Sequence, residues 1–249
     1  SKIGRIRLGG KDAEPEFSTF GWFSMLFSAG LGIGLLFYGV GEPMMHFSNS
    51  VINEAPGTAE AAKTAMKYTF LHYGLHAWAI YAVLGVALAF FAFNKGLPLT
   101  LRSVFYPLLG DKINGRIGDV IDIIAVVATL FGLATSLGLG VGQISAGLNY
   151  LFGTDDTVIF QVFLITVITG AATVSVVLGL DKGVRVLSEF NMRLAIIFLV
   201  SMLILGPTVY LLDSFIQNVG LYFQNVIGLG VLTEVYEGTT WQHDWTIFY

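Results

Sequence analysis

The amino-acid sequence predicts an all-α protein that crosses a lipid bilayer several times, and three observations support this fold class. Of the 249 residues, 55% are hydrophobic and only 12% are charged, and the mean hydropathy is +0.73. Soluble domains carry about 25% charged residues. Five apolar stretches are long enough to span a membrane as helices, which takes about 20 residues. The basic residues also alternate between the two sides of these stretches.

The five predicted spans follow one another along residues 1–212. They cover residues 17–40, 68–93, 120–152, 158–180 and 192–212. Of the 13 Lys and Arg residues, eleven fall on the side of the N-terminus and two on the opposite side. The positive-inside rule therefore predicts a multi-pass protein of the cell membrane whose N-terminus is cytoplasmic.

The remainder of the chain is less apolar. Residues 213–230 are too polar to span, and their apolar positions recur at helical spacing, which predicts an interfacial helix on the outer face. Residues 231–249 are interpreted as a loop and the start of another span, so we expect the chain to be a piece of a longer protein.

The composition excludes several classes of function. The absence of cysteine removes disulfide and thiol chemistry. A formal net charge of −4 without a basic cluster argues against nucleic acid as a partner. An intramembrane enzyme would need a catalytic carboxylate, a serine–lysine pair or a metal cluster at midplane depth. The spans contain no such set, so we predict neither an enzyme nor a cofactor.

The first span contains the stretch FSAGLGIGLLFYG, in which glycine recurs at alternate positions. Glycine inside a helix costs roughly 1 kcal/mol relative to alanine. One interpretation is close helix packing through the G-x-x-x-G pair of Gly30 and Gly34. The other is an unwound segment, because Gly32 does not share the face of that pair. Carbonyl groups freed near Ser28 and Leu31 could then ligate a sodium ion.

The second span carries aromatic residues and two histidines. Trp78 and Tyr81 share a helix face, and Tyr73 lies some 140° round from Trp78 at 100° per residue. Such rings can bind a quaternary ammonium group, worth about 2 kcal/mol when desolvated, or they can form a lipid-facing or interfacial belt. His72 and His76 have a spacing that a metal could use, but no Asp, Glu or Cys accompanies them in this span. We therefore predict hydrogen-bonded, interfacial histidines.

Other polar residues near or within the spans have simpler interpretations. Glu42 and Pro43 are predicted to end the first span, with Glu42 a solvated or loop-pinning carboxylate. The hydroxyl groups of Thr129, Thr135 and Ser136 lie at membrane depth. They can bond back to their own helix or take part in a cation site.

Four stretches together resemble the betaine/choline/carnitine transporter family: MLFSAGLGIGLLFYGVGEP, LHAWAIYAVLG, LATSLGLGVGQISAGLNYLFG and WTIFY. The resemblance covers nearly the whole chain. It implies the third to seventh of twelve spans. These would form the first five-helix inverted repeat of a LeuT-like fold, with an unwound first core helix.

The resemblance also implies a substrate site. In the family, the unwound stretch contacts the substrate and gives backbone carbonyls to a sodium ion. Choline-preferring members tend to carry an aspartate at the position of Gly34, whereas glycine suits a zwitterion that brings its own carboxylate. The implied substrate residues are Gly30, Leu31, Gly32, Gly34, Tyr73, Trp78 and Tyr81, and the implied sodium ligands are the carbonyls of Ser28 and Leu31. Tyr73 stands where the betaine carriers have tryptophan.

A second sodium site is implied in the third span. Thr129 and Ser136 match two of its ligands, and Leu133 replaces the third, a threonine. The carnitine antiporter branch of the family replaces sodium with an arginine in this span, and none lies between Ile117 and Leu180. Sodium coupling is therefore the expectation.

The function implied is a symporter that imports a trimethylammonium zwitterion, foremost glycine betaine, by alternating access as an osmolyte carrier. Its expected partners are the substrate, sodium, the lipid bilayer and two further copies in a homotrimer. Choline, dimethylsulfoniopropionate and ectoine remain alternative substrates. A non-transporting scaffold or a channel, in which the glycines only pack, is the alternative of another class.

Overall fold

The computed structural model describes residues 3–10, 12–30, 32–49, 51–52, 54–236 and 238–248, and these residues are mainly helical, with no β-strand among them. The α-helices are α1 (Thr19–Gly30), α2 (Ile33–Ser48), α3 (Ala59–Tyr73), α4 (Leu75–Ala89), α5 (Tyr106–Leu109), α6 (Arg116–Phe152), α7 (Val158–Val177), α8 (Arg185–Leu205), α9 (Thr208–Gly230) and α10 (Trp241–Phe248). Short 3-10 helices cover Ile3–Arg5, Leu101–Phe105 and Gly110–Asn114, and π-helical turns cover Phe90–Asn94 and Leu180–Val184.

Four helical segments in the described part of the chain are long and apolar enough to cross a membrane, and a fifth span results if α1 and α2 count as one bent crossing. The four are Ala59–Asn94, Arg116–Phe152, Val158–Val177 and Leu180–Leu205. Large apolar side chains on these segments face outward; Ile159 is 82% exposed and Leu205 is 85% exposed. Because such a surface suits lipid rather than water, the structure confirms an all-α, polytopic membrane protein.

The predicted fifth span differs from the observed helices. The predicted fifth span runs to residue 212, but α8 ends at Leu205 and Pro207 caps the start of α9. Proline fixes its own backbone and lacks the N–H that a continuing helix needs. The last residues of the predicted span therefore belong to the same helix as the predicted interfacial segment.

The chain divides into two units, of which the first comprises Ser1–Trp22 and Trp78–Gly170. Its short helices between α4 and α6 are held to the start of α6 by one arginine. Arg102 donates from Nε to Asp122 Oδ2 at 2.5 Å and from Nη2 to Asp119 Oδ1 at 2.9 Å. Charge-assisted bonds from one guanidinium group to two carboxylates are strong and directional, so Arg102 ties this connection to the start of α6.

The turn between α6 and α7 in the same unit is held by a carboxylate. Asp156 Oδ1 accepts hydrogen bonds from Ser145 Oγ at 2.6 Å and from Gln161 Nε2 at 2.8 Å. These two bonds lower the pKa of Asp156, because they stabilise its ionised form.

The second unit comprises Phe23–Ala77 and Ala171–Tyr249, and its core lies where α3 packs against α9. Tyr68 and Tyr222 are each 3% exposed in this core. Between α3 and α4, Gly74 has φ −97° and ψ −150°, which interrupts the helix. A Cβ atom at Gly74 would lie 2.3 Å from the Phe70 carbonyl oxygen and 2.9 Å from the Tyr222 ring, so only glycine fits there.

Candidate functional site

The first span is broken at its glycine stretch. Helix α1 ends at Gly30, and Gly32 caps α2 in an extended conformation with φ −67° and ψ 174°. The axes of Thr19–Gly30 and Leu35–Ser48 differ by 48°. Leu31, to which the sequence assigns both a substrate and a sodium role, lies outside the described residues.

The break brings two helix ends with opposite partial charges into one stretch of chain. The last carbonyls of α1 carry a partial negative charge and the first N–H groups of α2 a partial positive charge. One turn before the break, Ser28 Oγ is buried and has no hydrogen-bond partner among the residues that the structure describes. A carbonyl end with a spare hydroxyl suits a cation, and an N–H end suits a carboxylate.

Crowding does not explain why the middle glycine of the stretch has no side chain. A Cβ atom at Gly32 would meet nothing within 4 Å in the described structure. Its φ of −67° is also open to any residue. Gly34 lies in the first turn of α2. An interruption of the helix is therefore observed at this glycine stretch.

The aromatic residues of the second span fall on two helices. Trp78 and Tyr81 lie on α4 with ring centroids 5.7 Å apart and an interplanar angle of 47°, and they are 44% and 68% exposed. Tyr73 is the last residue of α3 and is half-buried. The 140° offset from Trp78 was worked out at 100° per residue, and Gly74 interrupts the helix between these two residues.

Two threonine hydroxyl groups of the third span bond back to their own helix. Thr129 Oγ1 donates to the Ala125 carbonyl at 2.8 Å, and Thr135 Oγ1 donates to the Phe131 carbonyl at 2.9 Å. This is the simpler of the two interpretations that the sequence allowed. A hydroxyl that donates a hydrogen bond in this way still offers its oxygen lone pairs, so the bond does not exclude a cation. Ser136 is exposed on the same helix.

A buried cluster of one carboxylate and two imidazoles is the main feature that sequence reasoning missed. Glu42 is fully buried, and its Oε1 lies 2.5 Å from His72 Nδ1 and 3.2 Å from His46 Nε2. The prediction of a solvated or loop carboxylate is therefore wrong. Helix α2 does not end at Pro43 but continues to Ser48, which carries Glu42 and His46 on one face, one turn apart.

The two histidines of the second span do not form a pair, because the interruption at Gly74 separates them. His72 reaches Glu42, whereas His76 Nδ1 lies 2.9 Å from the hydroxyl of Tyr222. Both are thus hydrogen-bonded, as predicted, but the carboxylate comes from another helix. The signal available in the sequence was the four-residue spacing of Glu42 and His46 within GEPMMHF.

Tryptophan rings enclose this cluster. His72 stacks on Trp245 at 4.8 Å and on Trp241 at 5.5 Å between ring centroids, and His46 meets the same two rings at 5.3 and 5.6 Å. Trp241 in turn packs on Tyr68 at 4.6 Å. The imidazole rings are therefore held in fixed orientations.

These features define a polytopic α-helical membrane protein whose first span is broken at its glycine stretch. The chain belongs to the family described as BCCT, betaine/carnitine/choline family transporter, which it matches over residues 1–249. This is a family of transporters, not of enzymes, in agreement with the prediction from the sequence.

Relatives with assigned names are similar along the whole chain. It is 48% identical over 263 residues to a glycine betaine/proline/choline transporter of Vibrio parahaemolyticus, with 99% of this chain and 47% of that protein covered. It is 47% identical to the glycine betaine transporter OpuD of Bacillus subtilis (100% and 49% covered) and to a glycine betaine transporter of Acinetobacter baylyi (100% and 38% covered). The chain therefore spans half or less of the length of these curated relatives.

Proposed function

We propose that this chain serves in a sodium-coupled secondary transporter that imports glycine betaine by alternating access. The observation that carries the proposal is the interruption of the first span between Gly30 and Ile33. Broken helices are tolerated in membranes where the freed backbone groups line a cavity or bind an ion or substrate. The names of the relatives at about 47% identity support the substrate.

The two helix ends suit two charged groups that the transporter would bind, the betaine carboxylate and the sodium ion. The partial positive charge at the start of α2 suits the betaine carboxylate, and the adjacent Gly32 and Gly34 let that group approach the backbone closely. The carbonyl end of α1 suits sodium, a hard cation that takes oxygen ligands. The unpartnered Ser28 hydroxyl stands beside that end, and we propose the carbonyls of Ser28 and Leu31 as ligands.

The aromatic residues suit the other end of the substrate. A trimethylammonium group binds to the faces of aromatic rings, and those of Trp78 and Tyr81 are accessible because both side chains are exposed. We propose these two rings, together with Tyr73, as the ammonium-binding residues. Tyrosine is a weaker cation–π partner than tryptophan, so Tyr73 favours lower affinity than a third tryptophan would give.

The second sodium site is the weaker part of the proposal. Thr129 and Ser136 offer hydroxyl oxygens on α6, but Leu133, which is 59% exposed on the same helix, has no oxygen to contribute. A leucine in place of a hydroxyl removes one ligand from a cation that needs several. We propose that coupling rests chiefly on the site at the break.

The remaining expectations complete the proposal. A LeuT-like repeat, a cytoplasmic N-terminus, an osmolyte-carrying role and a homotrimer follow from the family resemblance and the charge distribution. Choline, dimethylsulfoniopropionate and ectoine are competing substrates of the same class. A scaffold or channel would leave the two helix ends at the break without a ligand.

The test is uptake of labelled glycine betaine by the complete protein in proteoliposomes. We expect uptake to require an inward sodium gradient and to be inhibited more by unlabelled betaine than by choline. Loss of about 2 kcal/mol of cation–π energy in Trp78→Ala corresponds to an increase in KM of roughly 30-fold. Ser28→Ala should raise the sodium concentration needed for half-maximal uptake.

The matched control for the aromatic residue is Trp22→Ala, which removes an indole that is 52% exposed on α1. Its KM should stay at the wild-type value. Uptake that ignores the sodium gradient would refute coupling. A wild-type KM in Trp78→Ala would remove the aromatic residues from the proposed site.

A further inference from the structure

The Glu42–His46–His72 cluster has no part in the proposed transport site. Glu42 and His46 come from α2 and His72 from α3, so two helices meet at one carboxylate. The three side chains are 0%, 4% and 14% exposed. Buried polar groups in proteins are nearly always hydrogen-bonded. Each polar atom of this buried carboxyl group and these two imidazoles should therefore have a partner.

One atom of the cluster lacks such a partner. Glu42 Oε1 is shared by both imidazoles, but Glu42 Oε2 is buried without any hydrogen bond within the described ranges. An ionised carboxylate oxygen without a donor is costly in a dry environment. Hydrogen bonds therefore satisfy only one of the two carboxylate oxygens of Glu42. A cation is the ligand best suited to the other oxygen.

We propose that Glu42, His46 and His72 form a binding site for a transition-metal dication, best suited to Zn²⁺. The three donor atoms all lie within 4.8 Å of one another. Two imidazole nitrogens and one carboxylate oxygen are ligands that zinc takes, with a fourth position left for water. Calcium and magnesium prefer six or more oxygen ligands, so this donor set selects against them.

The distances fit a metal-free state of such a site. Tetrahedral zinc with bonds of about 2.0–2.2 Å holds its donors roughly 3.3–3.5 Å apart. The separation of 3.2 Å between Glu42 Oε1 and His46 Nε2 is close to that value, and the separation of 2.5 Å to His72 Nδ1 is shorter. The short contact lengthens when a shared proton is replaced by a metal, or when Oε2 becomes the ligand.

The surroundings hold the donors in place and leave a route to them. Stacking of His72 on Trp241 and Trp245 fixes its ring. Less side-chain conformational entropy is therefore lost when a metal binds. A cavity of about 260 Å³ reaches His46 beside these two rings. The carboxyl group of Asp244 also lines it, and a negative charge there draws cations inward.

The experiment is a Co²⁺ titration of the complete, tag-free protein in detergent, followed by visible absorption and by competition with Zn²⁺. We expect one Co²⁺ per chain, with the intense bands of a four-coordinate site that Zn²⁺ abolishes. The variants His46→Gln and His72→Gln should bind about 100-fold more weakly or lose binding. Bound Zn²⁺ should also raise the melting temperature of the wild type by mass action.

The matched control is His76→Gln, which changes a histidine of the same region that bonds to Tyr222 instead. It should bind Co²⁺ as the wild type does. Absence of saturable Co²⁺ binding in the wild type would refute the site, whatever the variants do. Binding that survives in both His46→Gln and His72→Gln would refute it too. None of these readouts requires transport, so this inference and the proposed function can fail separately.

Discussion

The interruption between α3 and α4 gives the sharpest prediction about the fold, through Gly74→Ala. The added Cβ atom would lie 2.3 Å from the Phe70 carbonyl oxygen and 2.9 Å from both Cζ and Oη of Tyr222. The first contact is with backbone, and the second is with a ring that is 3% exposed in the core, so neither can move away freely. Overpacking of this kind costs about 1–3 kcal/mol, so the variant should melt at a lower temperature than the wild type.

The assay is thermal unfolding of the complete protein in one detergent, followed by circular dichroism. The control is Gly85→Ala on α4, where a Cβ atom would meet nothing within 4 Å. Alanine is the better helix former by about 0.5–1 kcal/mol, so this variant should melt at or above the wild-type temperature. Equal melting temperatures for the two variants would refute the close approach at Gly74.

Two further predictions concern the connections of the first unit. Arg102→Lys should lower the melting temperature, because lysine cannot hold Asp119 and Asp122 with the two directed bonds that arginine makes; the same temperature as the wild type would contradict this. Asp156 has a lowered pKa in the folded protein, so its contribution to stability is present above the unfolded pKa and is lost as the pH falls through the folded one. The melting temperature of the wild type should therefore fall further between about pH 5 and pH 3 than that of Asp156→Asn. Asp155→Asn is the control, and its melting temperature should fall by as much as that of the wild type.

Features set by local sequence were predictable. The spans follow from apolar length. For the three glycines at alternate positions, the pattern alone favoured helix packing, and the family resemblance favoured the break. The hydrogen bonds of Thr129 and Thr135 to their own helix were also foreseen, since they depend on residues one turn away.

Features set by contacts between distant parts of the chain were not predictable. A lone glycine inside a helical pattern is usually tolerated, so Gly74 gave no sign of ending a helix. Tyr222 of α9 lies where a side chain at this position would point, and the sequence does not show that neighbour. The burial of Glu42 likewise depends on α2 packing against α3, and the sequence gives the spacing to His46 but not the neighbour His72.

The break in the first span yields a prediction that separates an effect on stability from an effect on transport. At a helix N-cap, alanine is poorer than glycine by about 1 kcal/mol, but Gly32→Ala also removes freedom from the unfolded chain, which returns about 0.4–1 kcal/mol. Since a Cβ atom at Gly32 meets nothing within 4 Å, the two terms nearly cancel and the melting temperature should hardly change.

If the substrate carboxylate approaches the start of α2, the same methyl group lies in its way. Gly32→Ala should then raise the KM for glycine betaine while stability stays at the wild-type level. Gly39→Ala, also on α2 and also with nothing within 4 Å of its Cβ atom, should leave the KM unchanged and should melt at or above the wild-type temperature. An unaltered KM in Gly32→Ala would mean that the backbone there does not contact the substrate. The break in the first span would then no longer support the proposed function.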